Sequence, residues 1–123
     1  MVKGIHHVSM KCQNEQEYNE EVSFYTQILG LTVDRVWGGG IMLDTGNGIV
    51  EIFKNGTDHP GQGAIRHFAL DVDDGPDDLV EKVRSAGYAV TVEPRDIDLV
   101  GLKARIAFVV GPLGEEIELF RVY

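Results

Sequence analysis

The sequence predicts an α+β fold made of two βαβββ half-modules, and three observations carry that expectation. His7-Val8-Ser9-Met10 near the start resembles His67-Phe68-Ala69-Leu70 past the middle. Each is followed by an acidic helical stretch that ends at a glycine, in Leu29-Gly30-Leu31-Thr32-Val33 and in Ala86-Gly87-Tyr88-Ala89-Val90. Each half then closes on a strand of one pattern, Val50-Glu51-Ile52-Phe53 and Ile117-Glu118-Leu119-Phe120. The spacing between copies drifts, as a duplication with unequal loops would make it. The expected organisation is a single domain over 1–123, made of half-modules 1–58 and 64–123. Its sheet would curve into an incomplete barrel with the helices outside.

Each element has a local reason. Residues 4–12 are rich in β-formers and read as a strand. Over 15–29, Tyr18, Val22, Tyr25 and Leu29 recur at helical spacing and make one apolar stripe. Asn14 is the expected N-cap with Glu17 three residues on, and Gly30 the expected residue past the helix end. Strands follow near 31–37, 40–45 and 48–54, with Thr45-Gly46-Asn47-Gly48 as a hairpin turn. The Gly38-Gly39-Gly40 run lacks the spacing of a phosphate loop and reads as a flexible strand connection. Residues 55–64 read as a linker. The second half repeats the plan: a strand near 66–73, then Pro76 opening a helix that runs to Ala86, with Leu79, Val80 and Val83 inward. Strands near 88–93, 104–110 and 115–122 follow, the last after a Gly111-Pro112-Leu113-Gly114 turn. The stretch 94–103 reads as a loop.

Composition narrows the function. A chain of 123 residues, 43% hydrophobic and 25% charged, suits an ordinary globular domain with a real core. A net charge of -9 without a Lys/Arg cluster argues against nucleic acid and anionic membranes as partners. No apolar run is long enough for a membrane span, and the first residues lack the apolar stretch of a secretory leader. Cys12 is the single cysteine, so no disulfide forms within one chain and a cytoplasmic location is expected. It faces the helix side and reads as a small buried apolar residue.

Four residues stand out. Alternation puts His7 on one face with Ile5, Ser9 and Lys11, and Glu51 on one face with Ile49 and Phe53. In the second half His67 shares a face with Ala69 and Asp71, and Glu118 with Glu116 and Phe120. The opposite faces are mainly apolar and suit helix packing. Taken singly, a histidine or glutamate on a strand is usually structural or solvated. Taken together, His7, Glu51, His67 and Glu118 occupy equivalent slots of both halves, on the side away from the helices. Two imidazoles and two carboxylates suit Ni²⁺, Zn²⁺, Co²⁺, Fe²⁺ or Mn²⁺. Such an ion can act as a Lewis acid on a carbonyl, and a glutamate that swings off it can move a proton between neighbouring carbons. His6 reads as packing or as a partner behind a ligand, His59 as a solvated loop residue, and Trp37 as core or interface.

At these residues the chain resembles the vicinal oxygen chelate superfamily, which includes glyoxalase I, methylmalonyl-CoA epimerase, extradiol dioxygenases and antibiotic-resistance proteins. The resemblance spans the chain through "HHVSM" (6–10), "VSFYTQILGL" (22–31), "RHFALDV" (66–72) and "GEEIELF" (114–120). Gly111 stands where the family often has Asp before the proline. The His, Glu, His, Glu set resembles compact glyoxalase I most; the epimerases usually have Gln at the place of Glu51. The resemblance implies a lyase that converts a 2-oxoaldehyde–thiol hemithioacetal, such as that of methylglyoxal, to a 2-hydroxyacyl thioester. It implies one divalent ion, Ni²⁺ or Zn²⁺ first, with Glu118 as base and Glu51 in the complementary role. It assigns thiol contacts to Asn55 and Lys11, where Lys replaces the family's Arg and loses its bidentate fork. It also implies a homodimer. The alternatives are an epimerase acting through a similar enolate, a metal-free small-molecule binding or resistance protein, and a thiol transferase that opens an epoxide.

Overall fold

The computed structural model describes residues 5–54, 67–99 and 101–123. The chain divides into two compact units, Met1–Gln62 and Gly63–Tyr123. The first contains β1 (His7–Lys11), α1 (Glu15–Ser23), a π-helical turn (Phe24–Ile28), β2 (Thr32–Trp37), β3 (Gly40–Asp44) and β4 (Ile49–Phe53). The second contains β5 (Phe68–Asp71), α2 (Asp77–Ser85), β6 (Val90–Leu99), β7 (Leu102–Val110) and β8 (Glu116–Val122). Each unit holds one four-stranded mixed sheet, in the order β1-β4-β3-β2 and β5-β8-β7-β6. In each, the first strand pairs parallel with the last, and the other neighbours pair antiparallel. A parallel pair needs a long crossover, which the helix and the intervening hairpin supply. These are the two βαβββ modules that the repeat predicts.

The first helix starts as expected. Asn14 Oδ1 accepts the Glu17 N–H at 2.8 Å, and Glu17 Oε1 accepts the Gln13 N–H at 3.2 Å. Its end differs from the single α-helix predicted over 15–29. After Ser23 the turn widens, and the Leu29 N–H reaches the Phe24 carbonyl at 3.1 Å. The wider turn lets adjacent Phe24 and Tyr25 both point inward, edge to face at 5.4 Å. The buried set is therefore Tyr18, Glu21, Phe24 and Tyr25, while Val22 and Leu29 of the predicted stripe are half-buried. Tyr25 donates its hydroxyl to Met10 Sδ at 3.8 Å, and Cys12 is fully buried as expected.

In the predicted loop at 94–103, residues 94–99 instead continue β6 and 102–103 open β7. β6 continues through Pro94 because the ladder is irregular between Val92 and Arg95, and no backbone donor is missed there. Beyond it Ile97 faces Ala104 and Asp98 faces Lys103. Gly101 adopts φ 91°, and its N–H is held by Asp98 Oδ1 at 2.8 Å. No local pattern marks this stretch as a strand; the tertiary pairing decides it.

Side chains clamp α2 to the β6–β7 hairpin. Arg105 on β7 reaches both oxygens of Asp77 at 2.7 Å and Asp96 at 3.2 Å. Arg84 bonds both oxygens of Glu93 at 2.8 Å. Val80 and Val83 face inward with Leu79 half-buried, and Pro76 stands at the N-cap. In both units the apolar face of the last strand is sealed: Val50, Ile52, Ile117 and Leu119 are at most 1% exposed.

Both predicted hairpin turns form, at Thr45–Gly48 and at Gly111–Gly114. Gly111 lets the Glu115 carboxylate come close. A Cβ there would lie 2.5 Å from the Glu115 carboxylate, whose Oε1 accepts the Leu113 N–H at 2.8 Å. Gly40 opens β3 under the half-buried Trp37, which packs edge to face on Phe53 at 5.7 Å. No helix of the described residues is long and apolar enough to cross a membrane.

Candidate functional site

The site residues are set by strand register. β1 alternates exposed His7, Ser9 and Lys11 with half-buried Val8 and Met10. Its parallel pairing with β4 puts Ser9 opposite Glu51 and His7 opposite Ile49. In the second unit Ala69 stands opposite Glu118, and His67 lies two residues before Ala69. Each unit thus places its histidine two residues before the position that faces its glutamate. Two residues along a strand return to the same face, an offset of about 7 Å. His7 Nε2 lies 3.8 Å from Glu51 Oε1, and His67 Nε2 lies 3.1 Å from Glu118 Oε2. The carboxylates are deep, 10% and 12% exposed, and the imidazoles more open, at 40% and 28%.

The two pairs are held differently. In the first unit Ser9 donates its hydroxyl to Glu51 Oε1 at 2.9 Å. Behind His7, the Nδ1 atoms of His6 and His7 approach to 3.0 Å. His6 is exposed, so it does not pack in the core; what it touches is His7. In the second unit His67 lies edge to face on Phe108 at 5.0 Å, and Phe108 is the β7 residue opposite Glu118. Met42 holds the corresponding place opposite Glu51. His67 Nδ1 is buried with no hydrogen-bond partner among the described residues.

These donors fit a divalent ion. Metal–nitrogen and metal–oxygen bonds of about 2.1 Å put two ligands about 3.0 Å apart at a right angle and about 3.4 Å apart in a tetrahedron. The second pair, at 3.1 Å, has that separation, and the first, at 3.8 Å, is wider. Neutral imidazole beside carboxylate is also the donor chemistry such ions take. No group of three or more His, Cys, Asp or Glu side chains that could hold a metal is found among the described residues. Each unit holds one His–Glu pair. Lys11 lies on the face of β1 that carries His7 and Ser9, and forms no ion pair among the described residues. Asn55 and His59 lie outside the described residues.

Ser9, Met42 and Phe108 were not singled out by sequence. Ser9 was within reach: it is two residues after His7, and the repeat aligns it with Ala69.

The family model for the Glyoxalase/Bleomycin resistance protein/Dioxygenase superfamily matches residues 4–119. The chain belongs to that superfamily. Solved structures share its fold. A glyoxalase/bleomycin resistance protein/dioxygenase from Alicyclobacillus acidocaldarius is 18% identical with TM-score 0.69, covering 98% of this chain and 92% of that one. A glyoxalase/dioxygenase from Nostoc punctiforme is 20% identical with TM-score 0.74, covering 98% and 92%. An integron cassette protein from the mobile metagenome of V. cholerae is 17% identical with TM-score 0.73, covering 98% and 96%. No curated protein matches the chain.

Proposed function

We propose that the chain is a metal-dependent isomerase of the glyoxalase I kind, acting on the hemithioacetal of a 2-oxoaldehyde and a thiol. The observation that carries this reading is the His–Glu pair repeated at one register in both units. His7, Glu51, His67 and Glu118 would together hold one divalent ion; Ni²⁺ and Zn²⁺ are first choices, and Co²⁺, Fe²⁺ and Mn²⁺ suit the same donors. A bound ion would supply Lewis-acid stabilisation of the charge that develops on the substrate oxygen.

The chain's own residues do the rest. Glu118 takes the proton from C1 while the C1–H electron pair forms the C1=C2 bond of an enediolate and the C2=O π pair moves onto the C2 oxygen. It returns the proton to C2, and the C1 hydroxyl proton is exchanged for one on the C2 oxygen. Atoms and electrons balance within the substrate, C1 being oxidised and C2 reduced, so no external oxidant is needed. Glu118 is 12% exposed, so little water competes for its proton. Glu51 stays as the complementary ligand. The Lys11 ammonium and Asn55 bind the thiol portion, Lys11 as a point charge rather than a fork. The two half-modules act as one domain, in a homodimeric cytoplasmic protein.

The test strips the full chain of metal, reloads it separately with Ni²⁺, Co²⁺ and Zn²⁺, and follows thioester formation from methylglyoxal and glutathione by ultraviolet absorbance. Metal-dependent turnover is expected, with kcat lowered about 10²- to 10⁴-fold in Glu118→Gln. No turnover in protein that holds about one ion per chain overturns the reading. Acyl-CoA epimerisation, epoxide opening and simple ligand binding would then be assayed.

A further inference from the structure

We infer that Ser9 is a positioning residue that pins Glu51, so that of the two equivalent glutamates only Glu118 is free to move. What the glutamates do rests on the functional reading above; how they differ is seen in the two units. Both glutamates stand on the last strand of their sheet, facing the first strand at one register. The facing residue is Ser9 in one case and Ala69 in the other.

Ser9 Oγ donates to Glu51 Oε1 at 2.9 Å. Serine has one rotor before its hydroxyl and sits on the neighbouring strand of the same sheet. The bond does not run through either histidine. His7 Nε2, at 3.8 Å from that same oxygen, is too far to hold it by a hydrogen bond. Glu118 has no equivalent. Its donor among the described residues is His67 Nε2, at 3.1 Å.

A ring nitrogen that donates a proton has no lone pair left for a cation. Engaging His67 Nε2 as a ligand thus removes the donor that holds Glu118. Engaging His7 leaves the Ser9–Glu51 bond untouched. Glu51 keeps Oε1 pinned and offers Oε2 as a fixed ligand. Glu118 can rotate off and return with a proton.

The experiment uses full-length protein loaded with Co²⁺ in four forms: wild type, Ser9→Ala, Ser9→Thr and Ala69→Ser. The rate of Co²⁺ loss to excess chelator is read first, with kcat, KM and the thermal midpoint beside it. Ser9→Ala is expected to lose Co²⁺ about 10-fold faster, as removal of a group behind a ligand commonly does. Ser9→Thr, which keeps the hydroxyl, returns the rate to that of wild type. Ala69→Ser supplies the missing donor to Glu118 and is expected to lower kcat about 10-fold with KM unchanged. Wild-type Co²⁺ retention in Ser9→Ala, failure of Ser9→Thr to rescue at an unchanged thermal midpoint, or an unchanged kcat in Ala69→Ser each overturns the inference. Wild type that holds Co²⁺ without turnover overturns the isomerase reading alone, and the Co²⁺ rates of the two Ser9 variants still decide for Ser9. Wild type that holds no Co²⁺ overturns both.

Discussion

The two units share a backbone plan and differ in what lines it. Strand order, the parallel closure of first strand on last and the His–Glu register are the same in both. The middle hairpin differs: β2 and β3 have 6 and 5 residues, β6 and β7 have 10 and 9. So do the neighbours of the two His–Glu pairs. Ser9, Met42 and His6 surround one pair, and Ala69 and Phe108 the other. The framework is therefore the unit of duplication, and divergence collects in the side chains facing the site and in the hairpin ends. A strand slip of one residue would flip a whole face, so register resists change; a face residue can vary without moving its neighbours.

The largest expected effect tests whether the frameworks are equivalent in energy as well as in form. Ile52 and Leu119 each follow the glutamate of their strand, and both are fully buried. Ile52→Ala and Leu119→Ala are each expected to cost about 2–5 kcal/mol in urea unfolding. A cost under about 1 kcal/mol for one of them would break the equivalence.

A middle-sized effect separates the two units by their glycines. A Cβ on Gly40 would meet the Ile52 carbonyl oxygen at 2.6 Å and the Trp37 ring at 2.9 Å. Backbone cannot swing aside, so Gly40→Ala is expected to cost about 1–3 kcal/mol. A Cβ on Gly111 meets only the Glu115 carboxylate, the far end of a flexible side chain. Gly111→Ala is expected to cost about 1 kcal/mol, near the value of the Leu113 bond it disturbs. The reverse order in thermal melts would sink this account of why each glycine is there.

The smallest effect belongs to the second unit, in its Arg105 cluster. Arg105 holds the Asp77 carboxyl below the usual carboxylate range, and Tyr123 and then Arg105 do the same for Asp96. Folded values below unfolded ones mean stability that is present above the ordinary aspartate value and lost as pH falls through the depressed ones. Arg105→Gln is expected to flatten the loss of thermal stability as pH falls below the ordinary aspartate value of about 4. The groups are exposed, so the change is small and shrinks in high salt. An unchanged acid limb would show that the cluster adds nothing.

Much of the site was legible because it follows from alternation and repetition. His7, Glu51, His67 and Glu118 were found by placing two copies of one pattern side by side, and their pairing within each unit is observed. The π-helical turn was hidden, since Phe24 and Tyr25 are both apolar and either could have continued an ordinary stripe. The strand through Pro94 was hidden too, because residues 94–99 carry no clear alternation and are set by their pairing with β7.

By itself, then, the sequence determined the two modules, the inward faces of their strands and the identity of the four candidate ligands. All of these are periodic properties of a chain whose side chains alternate in strands and recur in helices. Only the tertiary structure decided that Ser9 meets Glu51, that Phe108 backs His67 and that β6 runs on through Pro94. Those contacts depend on which strand lies beside which and at what register, and cross-strand partners far apart in sequence leave no local period to read.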